Sequence, residues 1–198
     1  MSPLTVVGID LALASTGVAR VAADEQGGTW RTWQVASPKV GAGTAAQAHR
    51  IRDAAGRILA ATLEDCPELV VIEAMPPGTF QQGIRDVAGQ WWMVVCSLIA
   101  SGVPVATVMP NTLKVYAVGH GGSKKRPAGK KEILAAAQHA YPGALTGGVH
   151  DVADAMFLAA AGARWAGFPV DCLPDVNVRA LDKFKWPESF RPNRIGEN

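Results

Sequence analysis

The spacing of hydrophobic positions changes along the chain, and these changes predict a mixed α/β fold. Residues 5–10 form a run of mostly branched aliphatic side chains without polar alternation, which predicts a strand buried on both faces. Residues 18–23 and 29–35 predict two more strands, with turn-forming residues at 24–28 between them. The start of the chain therefore predicts a three-stranded antiparallel meander.

Helical periodicity begins after the meander and alternates with two further strands. The predicted strands four and five cover residues 69–73 and 104–108. The predicted helices cover residues 45–63, 84–101, 130–139 and 151–165, with a short helix and loop over 110–129. This order predicts a five-stranded mixed sheet with helices on both faces.

Length and composition fit one globular domain followed by a tail. The chain has 198 residues, of which 48% are hydrophobic, and a net charge of +2. We assign residues 1–167 to the domain and residues 168–198, which are rich in proline, to a docked or flexible C-terminal tail.

The sequence carries no signal for a membrane or for an oxidising compartment. The three cysteines are scattered and form no C-x-x-C pair of the kind that binds zinc or cycles between redox states. The N-terminus lacks the features of a signal peptide, and the most apolar helical stretch, residues 91–100, is too short to span a bilayer. We expect a protein of the bacterial or phage-infected cytoplasm that does not contact membranes.

Four acidic residues fall at the ends of predicted elements. Asp10 ends the first strand, and Glu73 ends the fourth. Asp151 and Asp154 are three residues apart in a helix and therefore project from one face. If the first and fourth strands are neighbours, these carboxylates converge, and carboxylate oxygens are the ligands of hard divalent cations.

Each acid also has an ordinary structural explanation. Asp151 and Asp154 follow a glycine-rich turn and fit a capping box, and Glu73 fits a strand end that meets water. Asp10 fits a hydrogen bond to the turn at residues 15–17. We favour a shared metal site, because converging acids without a cation would repel one another strongly.

Basic residues are concentrated in one segment that has no acids. Between residues 111 and 131 every charged residue is basic. They are Lys114, Lys124, Lys125, Arg126, Lys130 and Lys131. Such a run fits a solvated loop or an arm that contacts nucleic-acid phosphates.

Taken together, these motifs resemble the RuvC-type Holliday-junction resolvases of the RNase H-like superfamily. The similar stretches are Gly8-Ile9-Asp10 with Thr16-Gly17, Val71-Ile72-Glu73, residues 110–119, and Asp151-Val152-Ala153-Asp154-Ala155. The resemblance covers roughly residues 5–166. The chain departs from the family pattern at Leu11-Ala12, in its longer basic loop, and in its tail, which we interpret as the mark of a phage-type or otherwise divergent branch.

The resemblance implies a Mg²⁺-dependent endonuclease, with Mn²⁺ as a substitute, that leaves 5′-phosphate ends. Asp10, Glu73, Asp151 and Asp154 would be catalytic ligands of two ions. Lys114 and Lys131 would be catalytic lysines. Residues expected to bind DNA are Phe80, as the aromatic wedge with Met75 as a weaker choice, together with Lys124, Lys125, Arg126 and Lys130.

The resemblance also implies a homodimer, since a four-way junction is two-fold symmetric and needs two symmetric nicks. Trp91 and Trp92 are about 100° apart on the second helix, so one fits the core and the other a partner subunit.

Alternative functions remain open at this point. A broader fork or flap endonuclease uses the same site. A non-catalytic DNA-binding module would gain nothing from acids beside phosphates. An ATP-binding protein of the actin and sugar-kinase type also begins with a Gly-Ile-Asp strand, but it needs a longer chain.

Overall fold

A five-stranded mixed sheet forms the centre of the protein. The structure, a computed structural model, describes residues 2–39, 41, 43–75, 83–122, 128–145 and 150–190. The strands are β1 (Leu4–Asp10), β2 (Ser15–Asp24), β3 (Gly27–Ala36), β4 (Leu69–Glu73) and β5 (Val105–Val108). Their order across the sheet is β3-β2-β1-β4-β5. The first three strands are antiparallel, and β4 and β5 continue parallel to β1.

Helices cover both faces of this sheet, as the sequence predicts. The helices are α1 (Thr44–Leu63), α2 (Ile84–Ala100), α3 (Pro110–Val118), α4 (Lys130–Ala140), α5 (His150–Trp165) and the short α6 (Asp175–Val178). A 3₁₀ turn over Arg179–Lys183 follows α6. The predicted RNase H-like arrangement of meander, alternating strands and flanking helices is confirmed.

The central strands separate two hydrophobic clusters. Val6 and Val71 face the cluster formed with α3, α4 and α5, whereas Val7, Ile9 and Ile72 face the cluster formed with α1 and α2. Both faces of β1 and β4 are thus buried, which explains their uninterrupted apolar runs. Fully burying one such aliphatic side chain contributes about 1.5–3 kcal/mol.

Residues 168–190 pack onto the α5 side of the domain. Phe184 is buried in the cluster beneath α5, and Trp186 stacks on Trp165 with 4.3 Å between the ring centroids. Lys185 exchanges two backbone hydrogen bonds with Thr107 of the edge strand β5, at 2.8 and 3.1 Å. The tail therefore covers part of a sheet edge that would otherwise be open to other strands.

One buried acid, Asp171, joins the tail to three helices. Its carboxylate accepts hydrogen bonds from the hydroxyls of Tyr116 on α3 and Tyr141 at the end of α4, at 3.2 and 2.6 Å. It also pairs with the guanidinium of Arg164 on α5. Every partner of this carboxylate is a donor, so its charge is compensated inside the protein.

Within the described ranges, no helix is both long enough and apolar enough to cross a bilayer.

Candidate active site

Asp10 and Glu73 are neighbours at the carboxyl ends of two adjacent parallel strands. The register of β1 and β4 places Ile9 beside Ile72, so the next residue of each strand is the acid. Side chains alternate between the two faces of a strand. Because Ile9 and Ile72 both face the α1 and α2 cluster, Asp10 and Glu73 project toward α5.

Two glycines allow α5 to lie directly against the sheet beside Asp10. A Cβ atom at Gly8 would lie less than 3 Å from the backbone of Ala155 and Ala159. A Cβ atom at Gly17, which pairs with Asp10 across β1 and β2, would lie less than 3 Å from the backbone of Asp151. Only a residue without a side chain permits this approach. The start of α5 is therefore held next to the end of β1.

The two aspartates of α5 lie inside the helix. Because α5 already includes His150, Asp151 is in the first turn and does not occupy the N-cap position. Asp154 follows one turn later on the same face. The capping-box explanation, which needs Asp151 at the cap, is therefore wrong.

Burial and mutual repulsion raise the pKa of three of these acids. The pKa of Asp10 lies well above its usual value, first because the carboxyl is buried and then because Glu73, Asp154 and Asp151 are close. Burial, followed by the charge of Asp154, raises the pKa of Glu73 to about 7. Burial raises the pKa of Asp154 to about 6, and Asp151 adds to that shift. The acids thus form one electrostatically coupled cluster.

No donor in the described part of the chain compensates this cluster directly. Neither a hydrogen bond nor an ion pair contributes to the shifts of Asp10, Glu73 or Asp154. The predicted hydrogen bond from Asp10 to the turn is absent from that part of the structure, where the Thr16 hydroxyl instead donates to the carbonyl of Ala12 at 3.2 Å.

Two lysines oppose the repulsion from a distance. Lys114 of α3 lowers the pKa of Glu73 and Asp154, and Lys130 of α4 lowers that of Asp10 and Asp154. His150 of α5 contacts the backbone carbonyl of Lys130 through its Nδ1 atom, at 3.1 Å. The first turns of α4 and α5 are therefore in contact, which keeps Lys130 beside the acids.

The other residues that the sequence predicts for the site are distributed as follows. Lys131 is exposed one position after Lys130, and the interactions that dominate the pKa shifts of the acids do not include it. Met75 packs against the α1 and α2 cluster. Phe80, Lys124, Lys125 and Arg126 lie outside the described residues.

Sequence reasoning missed the side chain that supports the end of β4. The indole of Trp91 on α2 donates a 2.9 Å hydrogen bond to the backbone carbonyl of Glu73. This bond ties the strand end to the helix behind it. The adjacent Trp91-Trp92 pair indicates one buried indole, but nothing in the sequence indicates which carbonyl it reaches.

The donor chemistry of the cluster fits a hard divalent cation. As the side chains are oriented, no three His, Cys, Asp or Glu residues within the described ranges are arranged to hold a metal ion. Half-buried carboxylates whose pKa values are raised by loss of solvent and by one another are nevertheless the groups that a nearby positive charge would stabilise most. Their oxygens are also the ligand type that Mg²⁺ prefers.

Comparison with known proteins identifies the fold. No protein-family model and no curated protein matches the chain. A structure of Thermus thermophilus RuvC matches with a TM-score of 0.63 and 21% identity, covering 83% of this chain and 98% of RuvC.

Two further structures agree with this match. T. thermophilus RuvC in complex with Holliday junction substrate gives a TM-score of 0.61 at 19% identity, covering 81% of this chain and 94% of that one. The yeast mitochondrial Holliday junction resolvase gives 0.50 at 15% identity, covering 92% and 80%. The chain therefore has the RNase H-like fold of RuvC.

Proposed function

We propose that this chain, which has the fold of RuvC, is an endonuclease that resolves Holliday junctions by paired symmetric nicks. The observation that carries the proposal is the coupled cluster of Asp10, Glu73, Asp151 and Asp154 at the ends of β1 and β4 and the start of α5. One of the structures that share this fold is T. thermophilus RuvC in complex with Holliday junction substrate.

The four acids would hold Mg²⁺, with two ions in each site and Mn²⁺ as a substitute. When bound, divalent ions supply an activated water for in-line attack on the phosphodiester and stabilise the leaving 3′ oxygen. The products would carry 5′-phosphate and 3′-hydroxyl ends. Because the pKa of Glu73 is about 7, the site binds protons in the absence of a cation and must release them to bind one.

The chain itself would bind the scissile phosphate and neutralise its charge. Lys114 and Lys130 are the cations that act on the acids, so they are placed to contact a phosphate bound beside those acids. We propose Lys130, in place of the predicted Lys131, as the second catalytic lysine. The contact between His150 and the carbonyl of Lys130 would hold that lysine in position.

We further propose that the protein acts as a homodimer through the outer face of α2. Trp91 is buried in the core at 8% exposure, whereas Trp92 and Ile99 are each 60% exposed and Met93 is 40% exposed. Large apolar side chains repeating along an outer helix face are typical of a protein interface. Sedimentation equilibrium should show a dimer at the concentrations that support cleavage, and a monomer there would be evidence against this proposal.

The experiment that tests the proposed function is the substitution Glu73→Ala. On a labelled four-way junction with Mg²⁺, we expect cleavage to fall by about 10³-fold or more, because a ligand of the charge-stabilising site is lost. Binding should stay within a few-fold of wild type, because Glu73 repels phosphates and attracts none. Mobility shift and single-turnover cleavage measure the two properties separately.

Glu25→Ala is the matched control. Glu25 is exposed in the turn between β2 and β3, at the end of the sheet opposite Asp10, and its loss should leave both properties unchanged. Ligation of the wild-type nicks by DNA ligase tests for 5′-phosphate ends. Loss of both binding and cutting in the Glu73 variant, or loss of neither, would contradict the assignment, and equal cutting of forks and flaps would broaden the substrate.

A further inference from the structure

A cleft lies between α3 and the tail, outside the acidic cluster; most of its lining is apolar, and two basic side chains stand on its tail side. Its volume is about 350 Å³. Asn111, Thr112 and Val115 of α3 line one side, and Val176, Arg179 and Lys183 of the tail line the other. No motif in the sequence indicates this cleft, because its two sides are more than 50 residues apart in the chain.

The charge of the cleft is positive. Arg179 and Lys183 are both exposed, and neither forms an ion pair with an acid in the described ranges. None of the described residues that line the cleft is acidic. Asn111 and Thr112 add side chains that can donate hydrogen bonds to an anionic oxygen. The cleft thus offers two uncompensated cations and two neutral donors to one ligand.

The tail side of the cleft is fixed in place. Before Arg179, Asp171 is bound to Tyr116, Tyr141 and Arg164, and Asn177 donates a 2.8 Å hydrogen bond to the carbonyl of Tyr116. After Lys183, the backbone of Lys185 pairs with Thr107. Because the segment is held on both sides, its cations are presented at a defined position and not on a loose end.

The helix α3 contributes both to the cleft and to the surroundings of the acidic cluster. Lys114, which acts on Glu73 and Asp154, lies one turn after Asn111 on the same short helix. One turn of helix advances about 5.4 Å, which is less than the rise of two successive phosphates of a DNA strand at about 3.4 Å each. A strand whose scissile phosphate is held at the acids therefore passes close to the cleft.

We propose that this cleft binds the phosphate backbone of a DNA arm next to the cleavage site. Arg179 and Lys183 contact phosphates of this arm, away from the phosphate that is cleaved. Asn111 and Thr112 donate supporting hydrogen bonds to the same backbone. This assignment rests on the proposed function and adds a binding site that the tail builds. Such contacts supply affinity and orientation and carry no sequence information.

The test removes both charges, with Arg179→Gln and Lys183→Gln combined, and measures junction binding in the Glu73→Ala background, where DNA stays uncut. We expect the Kd to rise about tenfold or more at about 100 mM salt, and the slope of log K against log salt to fall by about two, as expected for two lost phosphate contacts. In the active background, the single-turnover cleavage rate at saturating enzyme should be unchanged.

The matched control removes two charges from the opposite face of the sheet, with Arg52→Gln and Arg57→Gln combined on α1, and should leave the Kd and the slope unaltered. The single variant Arg179→Lys keeps both positive charges, so its slope of log K against log salt should stay close to that of wild type. This result would separate a charge effect from a folding defect. A Kd and slope equal to those of wild type, or an equal loss in the α1 control, would overturn the cleft assignment. Absence of cleavage by the wild-type protein would instead refute the proposed function.

Discussion

The protein withdraws acidic residues from water in two places, fully at Asp171 and partly at the ends of β1 and β4, and treats them in opposite ways. At Asp171 the carboxylate has a guanidinium and two tyrosine hydroxyls as partners, and its side chain is fully shielded from solvent. At the ends of β1 and β4, the acids have each other as neighbours, and their repulsion is opposed by the charges of Lys114, Lys130 and His150 without any hydrogen bond to a donor in the described residues. The first arrangement is complete without a ligand, whereas the second would be stabilised by a nearby positive charge.

The difference separates a structural role from a chemical one. Burial and the charge of Asp171 raise the pKa of Tyr116 and Tyr141, and the hydrogen bonds and charge of Asp171 raise that of Arg164, so the two hydroxyls and the guanidinium keep their protons. The acidic cluster is poised to exchange protons close to neutral pH, since the pKa of Glu73 is about 7 and that of Asp154 is about 6. Burial of an acid alone therefore does not indicate a chemical role. Burial of acids without donor partners does indicate one.

The largest effect that tests this comparison is expected from Asp171→Ala. The substitution leaves Arg164 half-buried without its counter-ion and leaves two buried hydroxyls without an acceptor. Removing one partner of a buried pair costs about 3–5 kcal/mol in the free energy of unfolding. Urea denaturation measures this loss, and the exposed Asp182→Ala serves as the control, with an expected change within about 0.5 kcal/mol. A loss below about 1 kcal/mol would mean that Asp171 does not hold the tail to the domain.

A smaller effect on the free energy of unfolding is expected at the acidic cluster when divalent metal is removed. There, ionisation of the carboxyl groups destabilises the fold, whereas the charge of Asp171 stabilises it. The pKa values of Glu73 and Asp154 are raised in the folded protein from ordinary values of 4.5 and 3.8. Between about pH 5 and pH 7 the folded state keeps protons that the unfolded chain has released. The free energy of unfolding should therefore fall as pH rises, by about 1–2 kcal/mol per pH unit.

Two additions sharpen this measurement. Glu73→Gln should reduce the slope in EDTA, because the amide cannot ionise and its repulsion of Asp10 disappears. Mg²⁺ should raise the wild-type melting temperature more at about pH 7.5 than at about pH 5.5, because the cation competes with protons for the same oxygens. Stability that is flat or rising over this range in EDTA would show that the acids are not coupled as described.

The fold could be predicted from the sequence where local patterns determine it. The prediction of β4 over residues 69–73 matches the structure residue for residue, because an apolar run bounded by breakers has one interpretation. The strand β2 begins three residues earlier than predicted, at Ser15. Its first residues, Ser15-Thr16-Gly17, are polar or small and become a strand only by pairing with β1 and β3. Tertiary pairing, not propensity, decides that boundary.

The candidate site could be predicted in outline but not in its supporting contacts. Strand ends and helical spacing were sufficient to group Asp10 and Glu73 with the aspartates of α5. The choice between Lys130 and Lys131 depends on a rotation of about 100° around α4, which the sequence does not reveal. The links from Asp171 to three helices join residues up to 55 positions apart, and no local pattern indicates such contacts.

The close seating of α5 on Gly8 and Gly17 has a consequence for how the protein tolerates change. At each glycine a hydrogen atom takes the place of a Cβ atom. This lets α5 approach the sheet and sets the distance between the acids of the sheet and those of the helix. A single methyl group there would act as a wedge, tilting the helix and spreading the carboxylates apart. Two positions with no functional group of their own are thus as intolerant of substitution as the acids whose spacing they govern.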